Sequence, residues 1–310
     1  MIHLERFAPV LFLIMWSSGA IFVKMGLDSA SVWSFLTLRA IGALLLMSML
    51  YGFLKLEKIK LNAEMLVKVI GVGMLLQVLY QIFYFLSIRY ELSPGLVAVV
   101  LGLQPLLTVL ISGERQSFYK LIVLFIGFIG LGLAVFGARD VSHVTFLGVF
   151  FALLCVTSIS TGAILQKKLS VSPLTSGIIQ NGCASIVFIT VSLYTGWHVN
   201  WDAKFIISLS WMTVVVSTGA TLLLFYIIQK KSASKVSVLF YLVPVLTMIF
   251  DFMVFDTKIT LTTLAGVALV MASVKLFNGP DGFVKGLRGS RKSKIVKEGR
   301  SVQVSEGGDD

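Results

Sequence analysis

The chain has 310 residues, 57% of them hydrophobic and only 13% charged, with a formal net charge of +11 and a mean hydropathy of +0.93. Soluble domains carry about twice that charged fraction, and a soluble chain of this size would lack the polar residues to cover its surface. A soluble enzyme, a nucleic-acid-binding domain and a disordered chain are therefore excluded.

A helix crossing the hydrocarbon core needs about 20 mostly apolar residues. In chain order such windows run over 7–25, 32–54, 65–88, 94–113, 121–136, 145–166, 175–196, 205–228, 236–255 and 261–277. The expected fold class is an all-α integral membrane protein with ten transmembrane helices, because intrahelical bonding satisfies the backbone in lipid. The first window follows a stub with His3, Glu5 and Arg6, as a signal peptide would. It lacks a small-residue cleavage pattern and has a partner later in the chain, so it is expected to be retained. Cys155 and Cys183 fall inside spans and read as small buried hydrophobes, not as a disulfide or metal site.

Lysines and arginines orient the spans. With a cytoplasmic N-terminus, the inner segments hold 20 of the 26, from Arg6 and Lys55 through Arg115, Lys167 and Lys230 to the tail. The outer segments hold Lys24, Arg89, Arg139, Lys204 and Lys258, and Arg39 lies within a span. Both termini are expected in the cytoplasm of a bacterial-type inner membrane.

Two halves of the sequence match each other. Ser17-Ser18-Gly19-Ala20-Ile21 recurs as Ser160-Thr161-Gly162-Ala163-Ile164, and Phe83-Tyr84 as Phe225-Tyr226. Pro105-Leu106-Leu107-Thr108 recurs as Pro244-Val245-Leu246-Thr247, and Gly127 as Gly266. Four weak matches in order define a duplicated five-helix unit, at 1–138 and 139–277. Five is odd, so the second copy enters the membrane from the opposite side. Inverted repeats around a midplane site are the architecture of secondary transporters.

With Ser17 to Lys24, Gly102-Leu103-Gln104-Pro105-Leu106-Leu107-Thr108, the Gly113-Glu114-Arg115 turn and the Gly266 helix, the chain resembles the drug/metabolite transporter superfamily, in its EamA-type members. The likeness covers 5–277. It departs from the family in the short spacing from Pro105 to Gly113-Glu114, and in Asp256 after Phe255 where Gly-Glu is common. The resemblance implies a central cavity lined by helices 1, 3, 4, 6, 8 and 9, with helices 5 and 10 peripheral. It also implies export of amino acids or related metabolites.

No catalytic constellation is visible. His3, His143 and His198 sit in loops or the terminal stub, and no zinc-protease, P-loop or dinucleotide pattern occurs. No enzyme activity, cofactor, metal or nucleic-acid partner is expected. Without a P-loop, transport is facilitated or coupled to an ion gradient. Polar residues at mid-depth are then the informative ones, because each is costly in hydrocarbon. Trp16 and Ser17 stand in the first span, and Gln77, Tyr80, Gln81 and Tyr84 form a one-face stripe in the third. Gln104, Thr161, Gln180, Tyr226 and Tyr241 complete the candidate cavity lining. For a lone hydroxyl or amide, plain helix–helix bonding competes with that role. Pro105 and Pro244 are candidate matched hinges, and Arg39 with Asp251 a candidate outer gate. No carboxylate occupies the midplane.

From residue 278 onward the chain turns polar and basic through Lys285 to Arg300. This reads as a disordered cytoplasmic tail resting on anionic lipid. The expected function is a secondary transporter of small polar or amphipathic metabolites, with an amino-acid/metabolite exporter leading. A nucleoside, nucleotide-derived metabolite or drug transporter stands as an alternative in the same class. A channel or membrane-embedded enzyme stands as one from another.

Overall fold

The computed structural model describes residues 2–278 apart from 55–60, 91, 93–96, 98–99, 114–115, 139–144, 232 and 256–259, and at some helical residues, Asp251 among them, the backbone alone. The Glu114-Arg115 turn and the basic tail thus lie outside the described residues, as does any gate contact of Asp251.

Ten helical rods follow one another among the described residues. They begin with α1 (Ile2–Leu27) and α2 (Val32–Phe53). Next comes α3, which is Ala63–Gly73, a π-helical stretch Met74–Leu79 and Tyr80–Arg89 in succession. The described α-helical part of α4 is Gln104–Ser112, and α5 is Phe118–Ala138. The second half repeats the plan with α6 (Phe146–Lys167), α7 (Pro173–Thr195) and α8, which is Ala203–Trp211, a π-helical stretch Met212–Ala220 and Thr221–Lys230. It closes with α9, which is Ala233–Ser237, a 3₁₀ turn Val238–Tyr241 and Leu242–Phe255, and with α10 (Leu261–Asn278).

The sequence sets where several rods start. Side chains of Ser31, Asn62, Thr145, Ser172 and Asp202 accept from the backbone N–H three residues on, capping α2, α3, α6, α7 and α8. Thr260 does the same for α10 through Thr263 N at 3.2 Å. Gly113, at φ 67°, ends α4 in the left-handed region that favours glycine.

Eight rods are long and apolar enough to cross a bilayer as single helices. The other two are interrupted ahead of Pro105 and Pro244. α4 breaks at Gly102-Leu103 and α9 tightens at Val238–Tyr241. Each break lies just ahead of a proline whose ring would meet the carbonyl four residues back, Leu101 for Pro105 and Phe240 for Pro244.

Packing follows the duplication. α5 lies along α10 and α2 along α7. α1 packs on α8 and α9, while its counterpart α6 packs on α3 and α4. Exchanging the two halves therefore maps these contacts onto themselves, as two inverted repeats require. The largest apolar cluster sits where α1, α3, α6, α8 and α9 meet, with Phe12, Val69, Leu76, Ile159, Ala220 and Phe225 at its heart. A second joins α4, α5, α9 and α10. Phe118, Phe125, Phe146, Ile186 and Leu193 point outward and exposed, which suits a lipid surround.

Candidate functional site

Irregular winding concentrates at the centre of the bundle. In a π-helical stretch the N–H reaches back five residues, which widens the helix and loosens its ladder. Tyr80 N donates to Leu75 O in this way. Leu75 O also accepts from Ser158 Oγ at 2.9 Å, and Tyr80 O from Cys155 Sγ at 3.3 Å, both reaching across from α6. The matching stretch in α8 is supported from within: Thr218 Oγ1 donates to Thr213 O at 2.8 Å and Thr221 Oγ1 to Val216 O at 3.3 Å. The first repeat's irregular helix thus leans on the second repeat, whereas the second repeat's supplies its own donors.

Beside the π stretch of α3 lies a small, largely enclosed chamber of about 20 Å³. Its wall is Trp16 of α1, Leu76, Gln77 and Tyr80 of α3, Ile159 and Ala163 of α6, Thr221, Leu224 and Phe225 of α8, and Phe240 of α9. Both repeats contribute. Trp16 stands edge-on to Phe240 at 6.0 Å and tilted to Phe12 at 5.4 Å, so one wall is aromatic. Gln77 and Tyr80 are the amide- and phenol-bearing residues of the lining. The volume suits a single water, not a metabolite.

Both ends above and below are tied. At the end the charge bias predicts external, Ala30 and Val199 form a bridge, with Ser31 N donating to His198 O at 3.0 Å and Asn200 N to Ser29 O at 2.7 Å. There Asp202 accepts from Ser29 Oγ at 2.6 Å and from Phe205 N at 2.7 Å. The Ser29 hydroxyl first, and then the Phe205 N–H, hold its carboxyl below the usual carboxylate range. At the other end Gln229 Nε2 donates to Val171 O at 2.7 Å, and Lys167 Nζ to Lys231 O at 2.8 Å.

Of the residues singled out in the sequence, Trp16, Gln77 and Tyr80 meet at the chamber. The rest of the stripe divides. Gln81 is buried and its Oε1 accepts from Arg39 of α2, while Tyr84 turns to the cluster of Leu92, Val97 and Ala152. Ser17 is buried beside the chamber, and its carbonyl accepts from Thr247 Oγ1 of α9 at 3.3 Å. Gln104 is buried with its Nε2 unpartnered among the described residues, and Thr161 is half-buried on α6. Gln180 donates to Gln166 Oε1 at 2.7 Å and packs on Gly73 of α3. Tyr226 borders the central cluster.

Tyr241 goes elsewhere. It is fully buried and donates to Leu124 O of α5 at 2.9 Å, among α5 and α10 side chains. A 3₁₀ turn rotates each residue about 20° further than an α-helix does, and through Val238–Tyr241 it is Phe240 that reaches the chamber. The apolar lining, Leu76, Ile159, Ala163, Leu224, Phe225 and Phe240, escapes a search for mid-depth polar groups. The Phe83-Tyr84 and Phe225-Tyr226 repeat match is the one sequence signal that touches it.

The sequence pattern of the EamA-like transporter family matches this chain twice, over residues 7–136 and 146–279. The chain is 28% identical over 195 residues to a Bacillus subtilis (strain 168) protein described as uncharacterized transporter YvbV. That alignment takes in 60% of this chain and 64% of the relative, so it spans less than two thirds of the relative's length. A solved crystal structure shares the fold at a TM-score of 0.75 and 17% identity, covering 88% of this chain and 96% of that one.

Proposed function

The chain belongs to the EamA-like transporter family, and from its central chamber we propose that it is a secondary transporter of small polar or amphipathic metabolites, an amino-acid/metabolite exporter working by alternating access. The observation that carries this reading is a chamber walled by both repeats, which are tied to each other at the predicted outer end. A space of about 20 Å³ admits a metabolite only if its walls move apart. The places to flex are at hand: the π stretch of α3 and the 3₁₀ turn of α9 supply wall residues, and the α8 wall begins at Thr221, directly after that helix's π stretch. Trp16, Phe225 and Phe240 would cover the apolar body of the cargo, and Gln77 and Tyr80 would bond its polar end.

No nucleotide-binding loop is present in the sequence, so the driving force is a solute or ion gradient. The setting is a bacterial-type inner membrane with both termini cytoplasmic, in line with the Lys/Arg bias.

Purified chain in proteoliposomes tests the proposal against a set of labelled amino acids. Saturable flux without single-channel current is expected, and Gln77→Ala or Tyr80→Ala should reduce it severalfold while leaving folding and reconstitution intact. Full flux in both variants would remove the chamber from the mechanism, and unitary currents would make the protein a channel.

A further inference from the structure

Arg39 is a formal cation seven residues beyond the start of α2, about 10 Å along its axis. Placing such a charge within a span is costly, and one that is retained there faces the interior, a partner or a pathway. An arginine that merely snorkels runs its stem along lipid to the interface. Arg39 instead turns inward across the bundle and donates to Oε1 of Gln81, a side chain only 8% exposed on α3. Among the described residues no carboxylate lies within ion-pair distance of it; Lys68 and Glu64, on the surface, form the ion pair seen there.

Gln81 offers the guanidinium a neutral acceptor, and among the described residues no carboxylate compensates its charge. A guanidinium carries five N–H donors, of which this contact uses one. The residue before Gln81 is Tyr80, which lines the chamber and lies within electrostatic reach of Arg39. Arg39 thus reaches a side chain one residue along α3 from the chamber's Gln77–Tyr80 lining, while Trp16, Phe225 and Phe240 supply the aromatic part of that lining. The described lining contains no acidic side chain.

Resting on the transporter reading above, we propose that Arg39 is the anion anchor of the chamber, and that the cargo carries one carboxylate on an apolar body. The guanidinium fork matches a carboxylate in a bidentate pair. Gln81 holds the fork in orientation while the site is empty of cargo, and Trp16, Phe225 and Phe240 cover the apolar part. A phosphate group brings up to two charges, and the described lining adds no second cation to meet them. A single carboxylate is the anion that one arginine balances.

Two isosteric pairs test this with the full chain in detergent: L-phenylalanine against L-phenylalaninamide, and 3-phenylpropanoate against 3-phenylpropanamide. The readout is the saturable rise in unfolding temperature. The acids should half-saturate at concentrations about tenfold or more below their amides, the range for a hydrogen bond to a charged group. Arg39→Gln should abolish that preference, and Arg39→Lys should keep part of it. Equal effects of acid and amide on the wild-type protein, no stabilisation by either acid, or an acid preference that survives Arg39→Gln would each overturn the anchor. Proteoliposome flux separates the two readings. Transport with no acid preference removes the anchor and leaves the transporter, and acid-dependent stabilisation without flux of labelled L-phenylalanine does the reverse.

Discussion

Gly130 and Gly132 stand two residues apart in α5 and should respond oppositely to the same substitution. A Cβ built on Gly130 would lie 2.7 Å from Leu269 Cβ, 2.9 Å from Gly266 O and 3.0 Å from Val270 N of α10. A Cβ on Gly132 would meet nothing nearer than Phe136 Cδ2, at 4.0 Å. On the facing helix, one at Gly266 would lie 2.5 Å from Gly130 O and 2.7 Å from Ala134 Cα. Apart from Leu269 Cβ, which is fixed to the backbone, these obstacles are backbone, so relief must come from the helices parting by about 1 Å to regain ordinary contact distance. Overpacking of that kind costs about 1–3 kcal/mol, against a helix-propensity gain of about 1 kcal/mol for replacing glycine. The balance for Gly266→Ala and Gly130→Ala is a loss of up to about 2 kcal/mol, and for Gly132→Ala a neutral result or a gain of up to about 1 kcal/mol. Unfolding by dodecyl sulfate titration in mixed micelles, followed by far-UV circular dichroism, reads these differences. Equal effects at 130 and 132, or a Gly266→Ala protein more stable than wild type, would refute the close α5–α10 packing.

Asp202 should make the tie between the α1–α2 turn and the α7–α8 loop acid-sensitive. Its folded pKa is depressed, so the tie's contribution is present above the unfolded value of about 3.9 and is lost as pH falls through the lower folded value. A cysteine at Ser31, its labelling rate divided at each pH by that of a free thiol so that the thiolate fraction cancels, should hold a constant ratio from pH 5 to 8 and a rising one in stronger acid; Asp202→Asn should remove that dependence, and a flat ratio down to pH 3 with Asp202 in place would contradict it. Pro105→Ala and Pro244→Ala should let α4 and α9 close their breaks, slowing turnover more than they weaken binding. Because the halves are inverted, the two changes should bias the chamber toward opposite faces, as read by thiol labelling; shifts toward the same face would dismiss them as matched hinges.

The ten rods were legible because crossing hydrocarbon demands long apolar runs, and the duplication because Pro105 and Pro244 sit in matching contexts. The chamber was legible in part. Trp16, Gln77 and Tyr80 were found as costly mid-depth groups, and they do meet. The Gln77–Tyr84 stripe was drawn at uniform α-helical spacing, yet Gln77 lies in a π stretch and the residues after it serve three different neighbours. No residue type announces that stretch, since the groups supporting its carbonyls, Ser158 and Cys155, belong to another helix. Tyr241 was assigned by polarity alone, and a 3₁₀ turn commits it to Leu124 instead. The inward turn of Arg39 depends on a contact between α2 and α3 that periodicity within one helix does not encode.

Two-sided access to the chamber is the central claim, and Ala163 is a suitable place to measure it, being 8% exposed and part of the wall. Ala163→Cys, in a chain with Cys155 and Cys183 replaced, would be treated with a membrane-impermeant thiol reagent in right-side-out and in inverted vesicles. Alternating access predicts labelling from each side in turn, with planar bilayers of the same protein electrically silent. Labelling from one side only, or from both sides together with ion conductance, would contradict the account.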